Sequence, residues 1–285
     1  MIAITGATGQ LGRLVIQQLQ KTVPAAQIVA AVRSPAKAAD LAALGVQVRQ
    51  ADYAQPATLE AAFQGVDKLL LISSSEVGQR APQHAAVIAA AQKAGVKLLA
   101  YTSILHADSS PLGLAAEHKE TEAMLRASGL PFVLLRNGWY TENYTASVPA
   151  ALQYGAVMGS AKDGRIASAA RADYAAAAAA AVLAKDDQAG KVYELAGDSA
   201  YTLSDLATEI AQQSGKPVVY NDLPEADYKA ALVQVGLPEG FAALLADSDV
   251  GASKGALFDD SHQLSQLIGR PTTPLAEVVK AALAG

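Results

Sequence analysis

The 285-residue chain contains no cysteine, which excludes disulfides and thiolate chemistry and predicts a reducing, cytoplasmic setting. It also has no run of Lys and Arg, and a net charge of −5 with 17% charged residues offers no basic surface to nucleic acid. Long apolar runs are missing too. The longest extends from Tyr174 to Ala184 and is mostly alanine, well short of the ~20 residues that span a bilayer, so it predicts a tightly packed helix rather than an anchor. Strand-forming residues begin at Ile2 with no basic segment or cleavage site before them, so no signal peptide is expected. The four histidines, His84, His106, His118 and His262, show no metal-ligand spacing, and no metal is expected. No internal repeat is present, and no feature points to a protein partner. What remains is the composition of an ordinary globule, 51% hydrophobic, long enough for one large α/β domain or one domain with an appendage.

Its most informative feature is the opening. Ile2-Ala3-Ile4-Thr5 reads as a buried strand and runs directly into Gly6-Ala7-Thr8-Gly9-Gln10-Leu11-Gly12. Glycines let a backbone turn sharply and approach a pyrophosphate, and the free amides of the helix that follows face an anion. Leu11, Val15, Ile16 and Leu19 then recur at helical spacing. Strand-like segments at Ile28–Val32, Val46–Arg49, Lys68–Ile72, Lys97–Thr102 and Pro131–Arg136 alternate with helical ones at Lys37–Leu44, Leu59–Phe63, a helix begun by Pro82, and Glu117–Ala127. This alternation predicts a doubly wound parallel α/β sheet of Rossmann type with a small C-terminal α/β lobe. Residues 1–136 are expected to form the dinucleotide-binding core, completed by part of 165–200, with Val192–Ala196 as a late strand. Residues 137–164 and 201–285 are assigned to a substrate-side lobe, in which Leu203–Ser214 is a helix capped by Thr202 or Ser204.

Arg33 stands where NAD-preferring relatives of this fold carry an acid for the adenosine ribose. A guanidinium there suits a 2′-phosphate, with Ser34 and Lys37 close in sequence, and NADPH is the expected cofactor, with NADH as the alternative. Asp52 and Tyr53 follow the third strand, where the Asp either approaches the adenine or caps the helix near Pro56. Ser73, Ser74 and Ser75 follow the fourth strand as a small loop that either lies against the cofactor or is a plain turn. Arg171, ahead of the alanine-rich helix, either reaches a cofactor phosphate or caps a helix.

The fifth strand ends in Tyr101-Thr102-Ser103, and a short-chain dehydrogenase would then supply Tyr-x-x-x-Lys as its acid/base pair. Here Leu114 occupies the tyrosine position and His118 the lysine position. Reduction of an ordinary carbonyl leaves a strongly basic alkoxide that needs such an acid. The expected acceptor is therefore one whose reduced form tolerates negative charge. His118 is the candidate weak proton donor, or else a solvated helix residue.

The glycine turn, Arg33, Leu71-Ile72-Ser73-Ser74-Ser75, Leu135-Arg136-Asn137-Gly138-Trp139-Tyr140 and Arg171-Ala172-Asp173-Tyr174-Ala175 together resemble the NmrA-like atypical short-chain dehydrogenases. The stretches Glu76–His84 and Asp247–Gly255 are similar to its bacterial, zinc-independent quinone reductase branch, and the resemblance covers the whole chain. It implies two-electron reduction of a quinone by direct hydride transfer from NADPH, without flavin or metal. The residue chemistry agrees: hydride delivery yields a hydroquinone monoanion with a phenolic pKa of roughly 10, which water or a weak acid can protonate. Asn137, Gly138, Trp139, Tyr140 and Glu142 join the expected cofactor contacts, and His106, Tyr140, Asn143 and Tyr144 the expected substrate contacts; the aromatics are alternatively packing. Some NmrA-like proteins bind dinucleotide without turnover, so a regulatory NADP(H) sensor is the alternative, and a dye or azo compound is a further possible acceptor.

Overall fold

The computed structural model describes residues 1–284. The chain runs β1 (Ile2–Thr5), α1 (Gln10–Leu19), β2 (Ile28–Val32), α2 (Ala39–Ala43), β3 (Gln47–Gln50), α3 (Pro56–Ala62), β4 (Lys68–Leu71), α4 (Arg80–Ala94), β5 (Leu98–Ile104), α5 (Ala115–Ser128) and β6 (Phe132–Asn137). It continues through α6 (Thr141–Thr145), α7 (Val148–Tyr154), β7 (Ala156–Gly159), α8 (Arg171–Leu183), β8 (Val192–Leu195), α9 (Leu203–Ser214), β9 (Val219–Asp222), α10 (Glu225–Gln234), α11 (Glu239–Ala252), α12 (Gln263–Ile268) and α13 (Leu275–Leu283).

Seven strands form one sheet in the order β3-β2-β1-β4-β5-β6-β8, and neighbours from β3 through β6 pair in parallel. This is the doubly wound order, with the reversal between β1 and β4, and ligands of such sheets sit at the carboxyl ends beside that reversal. The apolar strands are central because helices cover both faces: β2 and β5 are buried along their length. Leu69, Leu71, Leu99 and Tyr101 build the interior with Phe63, Val87 and Ile88. The alanine-rich stretch forms α8, whose small side chains bring it close to the sheet, and Lys68 Nζ donates to the Val182 carbonyl at 2.6 Å. β8 joins β6 through the Leu134 N–H to the Lys191 carbonyl, 2.9 Å, so the late strand stands as expected.

Two expectations change. α4 starts at Arg80, not Pro82, because Glu117 Oε1 of α5 accepts the amides of Gly78 (2.9 Å) and Arg80 (3.2 Å) and so caps the helix from a distant part of the sequence. The core also does not run unbroken to residue 136. One compact unit comprises 1–107, 116–137 and 172–193; the other comprises 108–115, 138–171 and 194–285.

In the second unit β7 and β9 form a two-stranded parallel sheet. Of the two caps expected for α9, Thr202 is the one used: its hydroxyl accepts the Asp205 amide at 3.1 Å, and Asp205 accepts the Thr202 amide in return. Asp249 of α11 is buried and holds two elements, accepting from the Tyr144 hydroxyl and the Ser160 amide, both at 2.9 Å.

Candidate active site

The glycine turn is built as its sequence requires. Gly6 sits at φ +59°, where a side chain is strained, and its carbonyl accepts the Gly9 amide at 2.9 Å. A Cβ on Gly12 would stand 2.5 Å from the Gly6 carbonyl oxygen and 2.7 Å from Ala7 Cα, so the helix can start this close to the turn only with glycine. Ala7 and Leu11 are buried beneath, Thr8 is half-buried, and Gly6, Gly9 and Gln10 are exposed. The N-cap of α1 is Gly9 and its first turn has no acid, so no side chain occupies the free amides. Amides and helix dipole together make an anion site.

Two arginines stand nearby, and only one was expected. Arg13 spends its guanidinium on the protein, with Nε on the Thr8 carbonyl (3.1 Å), Nη2 on the Lys37 carbonyl (3.0 Å) and Nη1 on the Asp40 carboxylate. Arg33, one residue beyond β2, is exposed and has one bond to the described residues, Nη1 to Glu76 Oε1 at 2.8 Å. Its other donors suit an incoming phosphate. Asp52 folds back on its own loop, accepting from the Ala54 amide and from Gln55 Nε2, each at 3.0 Å, while the N-cap of α3 is Gln55. The Tyr53 ring packs on the core, and burial pushes its hydroxyl up to about 12.

Ser73–Ser75 is a fixed loop. Thr5 Oγ1 accepts the Ile72 amide (3.1 Å), Thr102 Oγ1 the Ser73 amide (2.9 Å) and His84 Nε2 the Ser74 amide (3.0 Å). Accepting at Nε2 leaves the proton of a neutral imidazole on Nδ1, which donates to Thr121 Oγ1 at 2.9 Å; Thr121 donates onward to the Glu117 carbonyl. Burial, then the Arg80 charge, push His84 down to about 4, which keeps it neutral. Arg80 Nε donates to the Ser74 carbonyl at 2.5 Å, and its guanidinium faces Glu117 at 3.8 Å. Sequence reasoning missed His84, Arg80 and Glu117. The Glu76–His84 stretch had been noted, but nothing in it discloses partners on α5.

The proton-donor role expected for His118 is not supported. The residue is buried, its Nδ1 lies 2.7 Å from the Tyr101 hydroxyl, and burial, with Arg80 and His84 adding to it, pushes it down to about 3. It is a neutral group tied into the interior, not a solvated residue either. Beside it Ser103 Oγ and Arg136 both bond to Glu122, at 2.6 Å for the serine and 2.9 and 2.7 Å for the two arginine contacts. His106, beyond β5, is half-buried at φ +51°. Asn137 ends β6 with a buried side-chain oxygen that accepts no hydrogen bond within the described residues, an acceptor suited to a ligand hydroxyl or amide.

The second unit brings four expected residues together. Arg171 lies over the Tyr140 ring, 4.7 Å to its centroid, and Nη2 reaches Asn143 Oδ1 at 3.5 Å. Both Glu142 carboxylate oxygens accept the Arg171 amide, at 2.9 and 3.0 Å, so Glu142 caps α8. Of the two options for Arg171, then, capping falls to Glu142, while the guanidinium stacks on Tyr140. Tyr144 is corrected: it is buried, its hydroxyl is committed to Asp249, and its ring lies 6.3 Å from the buried Trp139. Both serve packing. The Gly138 amide is likewise used in structure, on the Leu195 carbonyl at 2.7 Å. Among the described residues no cluster of three or more His, Asp or Glu is arranged to hold a metal ion.

A family model described as NAD(P)H-binding matches residues 6–185. The chain is 69% identical over 279 residues to quinone oxidoreductase 2 of Escherichia coli (strain K12), covering 98% of this chain and 97% of that protein. It is 30% identical over 283 residues to an NAD(P)H azoreductase of Xenophilus azovorans, covering 99% and 97%. Among solved structures, the NADPH complex of an E. coli NADPH-dependent quinone oxidoreductase superposes with a TM-score of 0.96 at 67% identity, covering 99% of this chain and all of the other.

Proposed function

The chain belongs to the NAD(P)H-binding family, and on that premise we propose that it is an NADPH-dependent reductase that delivers two electrons to quinones. The observation that carries this reading is the near full-length 69% identity to a quinone oxidoreductase, joined to a phosphate turn and an arginine that suit NADPH. When bound, NADPH supplies a hydride; the overall balance is quinone, NADPH and a proton giving hydroquinone and NADP⁺.

The protein's part is binding and orientation. The amides of residues 6–12 would hold the pyrophosphate and Arg33 the 2′-phosphate. The pinned Ser73–Ser75 backbone would flank the ribose, with Asp52 toward the adenine and Asn137 as an acceptor for a ribose hydroxyl or an amide. In the second unit Tyr140 and Asn143 would be substrate contacts, with Arg171 keeping the Tyr140 ring in place; in the first, His106 would be one. The absence of a tyrosine acid is consistent with a quinone, because a phenolate with a pKa of roughly 10 takes its proton from water. His118, neutral and enclosed, does not enter the reaction. The expected setting is the cytoplasm, in keeping with the lack of cysteine and with the absence, among the described residues, of any helix long and apolar enough to cross a membrane.

Mixing the protein with NADPH and 1,4-benzoquinone should oxidise many equivalents of NADPH per chain, with hydroquinone as the product. Stoichiometric NADPH binding with no turnover would replace the enzyme by the sensor alternative. A second acceptor class has its own support, the resemblance to an azoreductase, so an azo dye belongs in the same assay.

A further inference from the structure

We infer that Glu76 is an internal anion that competes with the 2′-phosphate of NADPH for Arg33 and so sets how strongly the protein prefers NADPH over NADH. The inference rests on the reading of Arg33 as the 2′-phosphate ligand. Glu76 Oε1 is 2.8 Å from Arg33 Nη1, and the pair joins the loop after β4 to the end of β2. Two further bonds keep the carboxylate there. Its second oxygen accepts from Gln83 Nε2 at 2.6 Å, and its backbone amide donates to Ser74 Oγ at 3.1 Å. The Gln83 and Arg33 contacts hold the carboxyl below the usual range, so the group is an anion at neutral pH.

A phosphate that takes Arg33 in a bidentate fork must therefore displace a carboxylate or sit beside it. Displacement returns one charge-assisted bond; coexistence sets like charges side by side, with Asp52 near enough to add a second carboxylate. Either way the penalty falls on NADPH alone, because NADH has no 2′-phosphate. Arg13 shows the extreme of the same arrangement. All three nitrogens of its guanidinium are engaged, by an acid and two carbonyls, which leaves two of its five N–H donors for a ligand. Arg33 is intermediate: oriented by one acid, with its other donors open.

The test is equilibrium titration of the whole chain with NADPH and, separately, NADH, in the parent protein, Glu76→Gln, Arg33→Ala and the double variant. Both side chains are exposed, so the fold should tolerate these changes. Glu76→Gln should tighten NADPH roughly three- to tenfold, about 0.7–1.4 kcal/mol, and leave NADH within about twofold. The gain should shrink at high salt and vanish in the Arg33→Ala background. Selective weakening of NADPH by Glu76→Gln would make the acid a support for Arg33 and overturn the inference. Equal shifts for both dinucleotides would reduce it to a loop effect and overturn it too. An unchanged NADPH-to-NADH ratio in Arg33→Ala would sink the Arg33 reading and this inference with it. Because no quinone is present, absence of turnover bears only on the proposed reaction.

Discussion

The first unit sets its buried acids beside arginines and keeps its buried imidazoles neutral, whereas the second holds a buried acid among neutral donors. In the first, Glu122 meets Arg136 in a buried bidentate pair, Arg80 faces Glu117, and His84 and His118 are kept uncharged. In the second, the Asp249 carboxylate is held by a tyrosine hydroxyl and an amide, and burial pushes it up to about 6. The two interiors should therefore respond to mutation and to acid in opposite ways.

The largest effect belongs to the buried pair. Glu122→Ala removes the buried carboxylate that both Arg136 and Ser103 bond, so it should cost about 3–5 kcal/mol, read as a shift of the denaturant midpoint. A loss below about 1 kcal/mol would mean that Arg136 finds water, and the contrast between the units would weaken.

Acid is the next lever. A histidine held at about 4 against 6.5 in the unfolded chain contributes stability that is present above pH 6.5 and disappears as pH falls toward 4. For His84 that amounts to about 3 kcal/mol, and His118 acts in the same direction. Asp249 has the opposite sign. Its folded value exceeds the 3.8 of the unfolded state, so its penalty is absent below 3.8 and grows as pH rises through 6. Hydrogen exchange resolved by peptide should show β5 and α5 losing protection between pH 6.5 and 4.5 while α6 and α11 hold or gain it. His84→Gln keeps an acceptor for the Ser74 amide but cannot titrate, and it should remove its share of that acid sensitivity. Asp249→Asn should flatten the opposite trend in the second unit between pH 4 and 6, by up to about 3 kcal/mol. Parallel loss of protection in both units would contradict the comparison.

The same division explains what could be read from the sequence. The glycine turn, the alternation of strands and helices and the place of Arg33 were legible because local rules govern them: glycine where φ is positive, short apolar runs for strands buried on both faces, a residue one step past a strand end. The helix cap on α9 was legible only as a choice between Thr202 and Ser204, and the reciprocal bonds with Asp205 decide it for Thr202. Positions 84, 117 and 80 were not, since their roles arise from contacts between α4, α5 and the serine loop that no spacing encodes. His118 misled because a helix register cannot tell an enclosed imidazole from a solvated one. Tyr144 misled because an aromatic residue after a strand looks alike whether it faces a ligand or Asp249.

The smallest expected effect tests whether the second unit's cluster touches substrate at all. Arg171 stacks on Tyr140 and reaches Asn143, a contact worth about 0.5–1 kcal/mol at a partly exposed site. Arg171→Ala should therefore raise the quinone KM roughly two- to fivefold through loss of the stacking on the Tyr140 ring while leaving the NADPH Kd unchanged, because the α8 cap runs through the backbone amide and survives the substitution. A matching loss of NADPH affinity would instead make the guanidinium a phosphate ligand, the alternative that its sequence position first suggested. An unchanged KM would leave the Tyr140 ring, like Tyr144, a packing element, and would shift substrate recognition to the first unit and His106.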